Sequence, residues 1–187
     1  MKCPICQGHS LRKHQLEADL PAYQCHKCEG IWISAAQYWE WQKARDEDAP
    51  SPDQVPDAPI PIEGDGQVKQ CPECRHMLRR FQVWPRVQVY VDRCGHCDSI
   101  WFDKGEWAYV RSKGEHGQVH LFFTEAWQEK VRAEEKRLWL DGVYAERFGA
   151  EDYARIKEIR EWLWQHPKQA VLMAFLTDRD PYRVVSK

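Results

Sequence analysis

The eight cysteines stand in four Cys-x-x-Cys pairs: Cys3/Cys6, Cys25/Cys28, Cys71/Cys74 and Cys94/Cys97. None is left over. Two thiolates at this spacing reach one metal ion from a single tight turn. A second pair brought opposite by a hairpin closes a tetrahedral S₄ site. The gap between pairs is 18 residues in the first half and 19 in the second, room for two short strands and a connection. The pattern predicts two structural Zn²⁺ ions, one on Cys3, Cys6, Cys25 and Cys28, the other on Cys71, Cys74, Cys94 and Cys97.

Other uses of eight cysteines fit less well. Four Cys-x-x-Cys pairs make a poor disulfide framework, and the N-terminal residues carry no secretion signal. A thioredoxin-like redox motif needs a βαβ context that the sequence lacks. Iron of the rubredoxin type uses the same four thiolates, and ligand softness does not separate it from zinc.

The repeat extends past the ligands. Both halves begin Cys-Pro-x-Cys, and the second pair of each is followed at one offset by Ile31-Trp32-Ile33-Ser34 or Ile100-Trp101-Phe102-Asp103. The Ile-Trp pair is placed to cover the metal. Ser34 and Asp103 are expected N-caps of helices over about 35–46 and 104–112. Val87, Val89 and Val91 alternate with polar residues, a strand signature, with Trp84-Pro85 as the turn. In the first half Leu16, Leu20 and Tyr23 are the inward candidates, with less regular strands.

The stretch Val91-Asp92-Arg93-Cys94-Gly95-His96-Cys97-Asp98-Ser99-Ile100-Trp101-Phe102-Asp103-Lys104-Gly105-Glu106 resembles the "V-D-R-C-x-x-C-x-G-x-W-x-D-x-G-E" pattern of the bacterial zinc-ribbon family named after the TFIIB zinc finger. It departs only at Ser99, where Gly is usual. The first half keeps Gly30 and Trp32 but lacks the flanking residues, so it reads as the degenerate copy. The likeness covers about 1–41 and 70–110. It implies zinc-binding modules and little about their use.

The expected fold is a small metal-bound α+β arrangement. A first zinc ribbon (1–45) and a second (69–113), each a hairpin plus a short helix, are joined by an acidic, Pro-rich linker (46–68) and followed by an α-helical region (119–187). The linker holds five prolines, seven acids and no base, and is expected to decouple the ribbons. In the tail, Thr124 is expected to cap a helix to Phe148, split near Asp141 by Gly142. Helices over 151–165 and 167–176 follow, separated by His166-Pro167.

Net charge is −2, and residues 120–187 carry twelve bases and twelve acids. Neither a basic nucleic-acid arm nor a basic membrane helix is present. The second ribbon gathers Lys69, Arg75, Arg79, Arg80, Arg86 and Arg93 beside Phe81, Trp84 and Tyr90, and Arg93 is expected to pair with Asp92 or Asp103. Arg75, Arg79, Arg80, Trp84 and Arg86 are the nucleic-acid contact candidates. In the tail, Trp127, Trp139, Trp162, Trp164 and Phe175 are the candidates for docking a protein partner or a second copy. Phosphate-binding loops and hydrolase or kinase signatures are absent, and a closed S₄ site has no coordination position for substrate. The expectation is a cytoplasmic, non-catalytic interaction adaptor with no membrane partner and no small-molecule substrate. The alternative is a nucleic-acid-binding or transcription-associated protein.

Overall fold

A computed structural model describes residues 1–44 and 67–183. The linker expected over 46–68 lies outside the described residues except for Gln67 and Val68. The chain divides into two units, 1–135 and 136–187, and the division falls within one helix.

The first unit is built on one six-stranded antiparallel sheet. The strands are β1 (Arg12–Glu17), β2 (Leu20–Gln24), β3 (Ile31–Ile33), β4 (Leu78–Gln82), β5 (Tyr90–Cys94) and β6 (Ile100–Phe102), in the order β1-β2-β3-β6-β5-β4. The ribbons are therefore not decoupled. β3 pairs with β6, with Ile31 opposite Phe102, Trp32 opposite Trp101 and Ile33 opposite Ile100. In the repeat Trp32 and Trp101 are equivalent, as are Ile31 and Ile100, and Ile33 and Phe102. A pairing that sets Trp32 against Trp101 and exchanges the flanking pairs is the register of a twofold axis. The two ribbons form a pseudo-dimer within one chain, with the same patch of each meeting at the centre.

Both central strands are buried at all three positions, so they carry no polar alternation. Ile31, Ile33, Ile100 and Phe102 face a core shared with Tyr38, Trp41, Trp107, Val110, Val119 and Phe122. Trp32 and Trp101 face the other side, among Cys3, Cys25, Cys71 and Cys94. The sheet thus separates a metal layer from a helix layer.

The helix layer comprises α1 (Ala35–Ala44), α2 (Glu106–Ser112), a 3₁₀ turn (Glu115–Gln118), α3 (Val119–Phe122) and the first part of α4 (Glu125–Phe148). α1 starts as expected. Ser34 Oγ accepts the Gln37 N–H at 3.2 Å, and Gln37 Oε1 accepts the Ser34 N–H at 3.4 Å, a reciprocal capping box. α2 departs from expectation. It begins at Glu106 after a left-handed Gly105, and Asp103 does not cap it, because its carboxylate is committed elsewhere.

Contacts between the ribbons tie these helices down. The Tyr38 hydroxyl on α1 lies 3.0 Å from His120 Nδ1 and accepts the His120 N–H at 3.2 Å. The Trp107 indole on α2 donates to Glu17 on β1 at 3.1 Å, and Arg111 pairs with the same carboxylate at 3.3 Å. The first hairpin is fully formed, with five paired positions from Arg12–Gln24 to Glu17–Leu20. The second differs from the alternation in part: β5 begins at Tyr90, the turn with Arg86 at φ 60° takes up Val87, and the Val89 carbonyl accepts the Val83 N–H at 3.0 Å just before the strand.

α4 is continuous through Gly142, so the expected split does not occur. Thr124 Oγ1 accepts the Trp127 N–H at 3.3 Å as its cap. In the second unit, α5 (Ala150–Gln165) follows Gly149 at φ 85° and ends at an extended His166, and α6 (Gln169–Thr177) comes after Pro167. Tyr153 and Lys157 on α5 both donate to Asp141 on α4, each at 2.8 Å.

Candidate metal centres

Each Cys-x-x-Cys pair sits on the same kind of turn. The residue after the second cysteine returns its N–H to the carbonyl of the first: Gln7 to Cys3 at 3.1 Å, Glu29 to Cys25 at 2.8 Å, Arg75 to Cys71 at 3.0 Å and Asp98 to Cys94 at 3.1 Å. All four of these residues hold positive φ, from 37° to 65°. This tight turn points both sulfurs the same way. The hairpins then bring the pairs together.

In each ribbon the four Sγ atoms lie within 4.8 Å of one another. Cys3 and Cys28 sulfurs are 3.6 Å apart, Cys71 and Cys97 3.5 Å, and Cys74 and Cys94 3.4 Å. A tetrahedral zinc with Zn–S of about 2.3 Å needs sulfurs about 3.8 Å apart, so both clusters fit the ion. None of the eight cysteines is joined in a disulfide. Burial pushes the Cys3 thiol up to about 11 and raises Cys28 and Cys97 as well, with crowding by neighbouring thiols adding to it. At Cys25 and Cys71 burial is outweighed by hydrogen bonds to the sulfur, from the Ser99 hydroxyl at Cys71 and from backbone N–H groups at both, and these thiols are lowered instead. Four sulfurs this close carry negative charge together only around a cation, and Zn²⁺ would supply that charge. Bound there, the ion would hold each ribbon together. Each ribbon is too small to close a core on its own.

The two centres differ in their surroundings. Ser99 Oγ lies 3.2 Å from both Cys71 Sγ and Cys97 Sγ and is fully buried. Its counterpart in the first ribbon is Gly30, which has no hydroxyl to offer. Gly30 serves a different end, because a Cβ there would stand 2.2 Å from the Trp101 ring. The indole of the second ribbon therefore lies directly on the backbone of the first.

Beneath the second centre is a buried polar network. Lys69 Nζ donates to Asp92 Oδ2 and Asp103 Oδ2, both at 2.7 Å, with all three residues under 5% exposed. Arg80 Nε reaches Asp92 at 3.1 Å, and Trp101 Nε1 donates to Asp103 at 2.7 Å. Glu106 accepts the Tyr90 and Asp103 N–H groups at 3.1 and 2.7 Å, and burial pushes its carboxyl up to about 8. The "V-D-R … D-x-G-E" residues thus brace the ribbon. In the first ribbon Ser34 stands where Asp103 would, and the buried Trp32 Nε1 has no hydrogen-bond partner among the described residues.

The nucleic-acid candidates divide. Arg75, Arg79 and Arg86 are exposed, with Arg79 5.4 Å from the Phe81 ring centre. Arg80 is held by Asp92. Trp84 packs on Tyr109 and Phe122. Lys69 leaves the basic face altogether, and Arg93 pairs with Asp98 at 2.7 Å rather than with Asp92 or Asp103. The docking candidates divide too. Trp127 is drawn against the core and donates to the Val83 carbonyl at 2.8 Å. Trp139, Trp162, Trp164 and Phe175 are exposed. The sequence reading missed Ser99 as a neighbour of the sulfurs, and Lys69, Asp92, Asp103 and Glu106 as one network.

The fold of the first unit and its two four-cysteine centres are those of two zinc ribbons. Residues 2–44 match the family described as the transcription factor zinc-finger, the TFIIB-type zinc ribbon, and the four-cysteine cluster at 71–97 fits a second ribbon. The match falls on the copy with the weaker motif. No curated protein and no solved structure matches the chain.

Proposed function

We propose that the chain is a non-catalytic, cytoplasmic protein-interaction adaptor in which zinc serves folding alone. The observation that carries this reading is the second unit. Among its described residues Leu163 is the one buried side chain, while Trp139, Trp162, Trp164 and Phe175 stay between 48% and 66% exposed. An apolar surface of that size on a small helical unit is the mark of a docking site. Support for a non-catalytic role comes from the closed sulfur tetrahedra, which leave no open position for a bound water. Among the described residues no helix is long and apolar enough to cross a membrane.

The test is affinity purification of the zinc-loaded chain beside a Trp162→Ala/Phe175→Ala variant, with zinc content measured on both. The variant should keep its metal and lose its stable partners. A variant that keeps every partner overturns the reading. The nucleic-acid alternative draws on Arg75, Arg79 and Arg86. It predicts a salt-dependent gel shift with single-stranded or duplex probes, lost in Arg79→Ala/Arg86→Ala.

A further inference from the structure

The geometry points to a second copy of this chain as the occupant of the exposed face formed by α5 and α6, with α6 packed antiparallel against α6 of the other copy. This rests on the docking reading above and names the partner.

α6 is a nine-residue helix with no charged residue in it and no buried one. α6 touches α5, and its partly buried positions Gln169, Leu172 and Met173 share one side, leaving Val171 and Phe175 on the other at 68% and 48% exposure. On α5, Leu163 is buried, and Trp162 and Trp164 flank it by about 100° on either side. Both are 54% exposed. The two indoles thus border the strip that carries α6.

Charge at the helix ends selects the partner. The positive end of a helix dipole is its N-terminus, and helices favour acids there and bases at the C-terminus. α6 is reversed. Lys168 occupies its N-cap and Asp178 its C-cap, with no acid in the first turn and no base in the last. Both residues are exposed, and neither makes an ion pair among the described residues. Each end taken alone is mis-signed. An antiparallel copy resolves both at once. The helix is about 14 Å long, and a dyad near its middle residue, Met173, sets Lys168 of each copy beside Asp178 of the other. A foreign partner would need its own matching pair of charges, whereas a second copy carries it by construction.

The test is sedimentation velocity on the zinc-loaded full chain at micromolar concentration, with the same measurement on charge-exchanged variants. The native chain is expected at twice its 22.2 kDa, and Phe175→Glu as a monomer. Lys168→Glu and Asp178→Lys should each weaken the dimer by about tenfold or more. Each exchange corrects the local helix dipole, so helix loss cannot explain the weakening. Lys168→Glu/Asp178→Lys together should restore the native dissociation constant. A native chain that stays monomeric, or a double exchange that fails to restore pairing, overturns the proposal. Should the native chain be monomeric while Trp162→Ala/Phe175→Ala still loses a different protein in the purification, self-pairing is refuted and the adaptor reading stands.

Discussion

Gly30→Ala tests whether the two ribbons act as one body. The added methyl would meet Trp101 Cζ2 at 2.2 Å and Cη2 at 2.8 Å. Trp101 cannot swing away. It is fully buried, and its N–H is fixed to the buried Asp103. Overpacking costs about 1–3 kcal/mol, and displacing the indole from Asp103 adds about 1–3 kcal/mol for the stranded acceptor. Lower entropy of the unfolded chain returns roughly 0.5 kcal/mol. The expected net loss is about 3 kcal/mol. Gly95→Ala is the control, since its Cβ would meet nothing within 4 Å. Urea unfolding of the zinc-loaded proteins, followed by tryptophan fluorescence, gives the two stabilities. A Gly30→Ala value within about 0.5 kcal/mol of the control, the usual range for surface changes, would refute the interlock. The substitution lies in the first ribbon, so zinc should also leave the Cys71, Cys74, Cys94, Cys97 site sooner under chelator.

Metal analysis should return two zinc ions per chain, and Cys97→Ser should loosen both sites, because β3 loses its partner when β6 unfolds. A variant that keeps the first zinc at native affinity would show the ribbons to be independent. Ser99→Ala removes a hydroxyl 3.2 Å from two sulfurs. Zinc affinity at the second site should fall about tenfold in a competition with a chromophoric chelator, and an unchanged value would count against the contact. Glu106 titrates near 8 in the fold, against 4.5 ordinarily. The folded state therefore binds the extra proton, and stability falls as pH rises through that range. Between pH 7 and 9 the loss is on the order of 1 kcal/mol, and Glu106→Gln should flatten the profile. A slope that persists in the variant assigns the proton elsewhere.

The metal ligands were legible because thiolates at fixed spacing have few other uses. The repeat was legible from Ile-Trp at one offset. What the spacing could not convey was the joining of the halves. Ile31–Ile33 and Ile100–Phe102 read as covers for the metal, yet a run buried on both faces is also the signature of a central strand. Three residues are too few to reveal which. Lys69 was counted with a basic surface because a lone lysine carries no sign of burial. Its two carboxylate partners lie 23 and 34 residues away. Asp103 was assigned to a cap on local grounds, and the long-range bond to Lys69 claimed it. The polar sequence Arg12–Glu17 hides β1, since an edge strand needs little apolar alternation. Trp127 sat at helical spacing with the other tail tryptophans, and only the position of Val83 separates it from them.

The meeting of β3 with β6 also sets an order of events during synthesis. Ile31–Ile33 leaves the ribosome about 70 residues before Ile100–Phe102, an interval of roughly 4–14 s at ordinary elongation rates. Throughout it the nascent first ribbon holds its zinc ligands but shows an unpaired apolar edge, the kind that recruits another chain. Residues 46–68, translated within that interval, carry seven acids and no base. Nascent chains on one message would thus repel one another while that edge waits for its own second half.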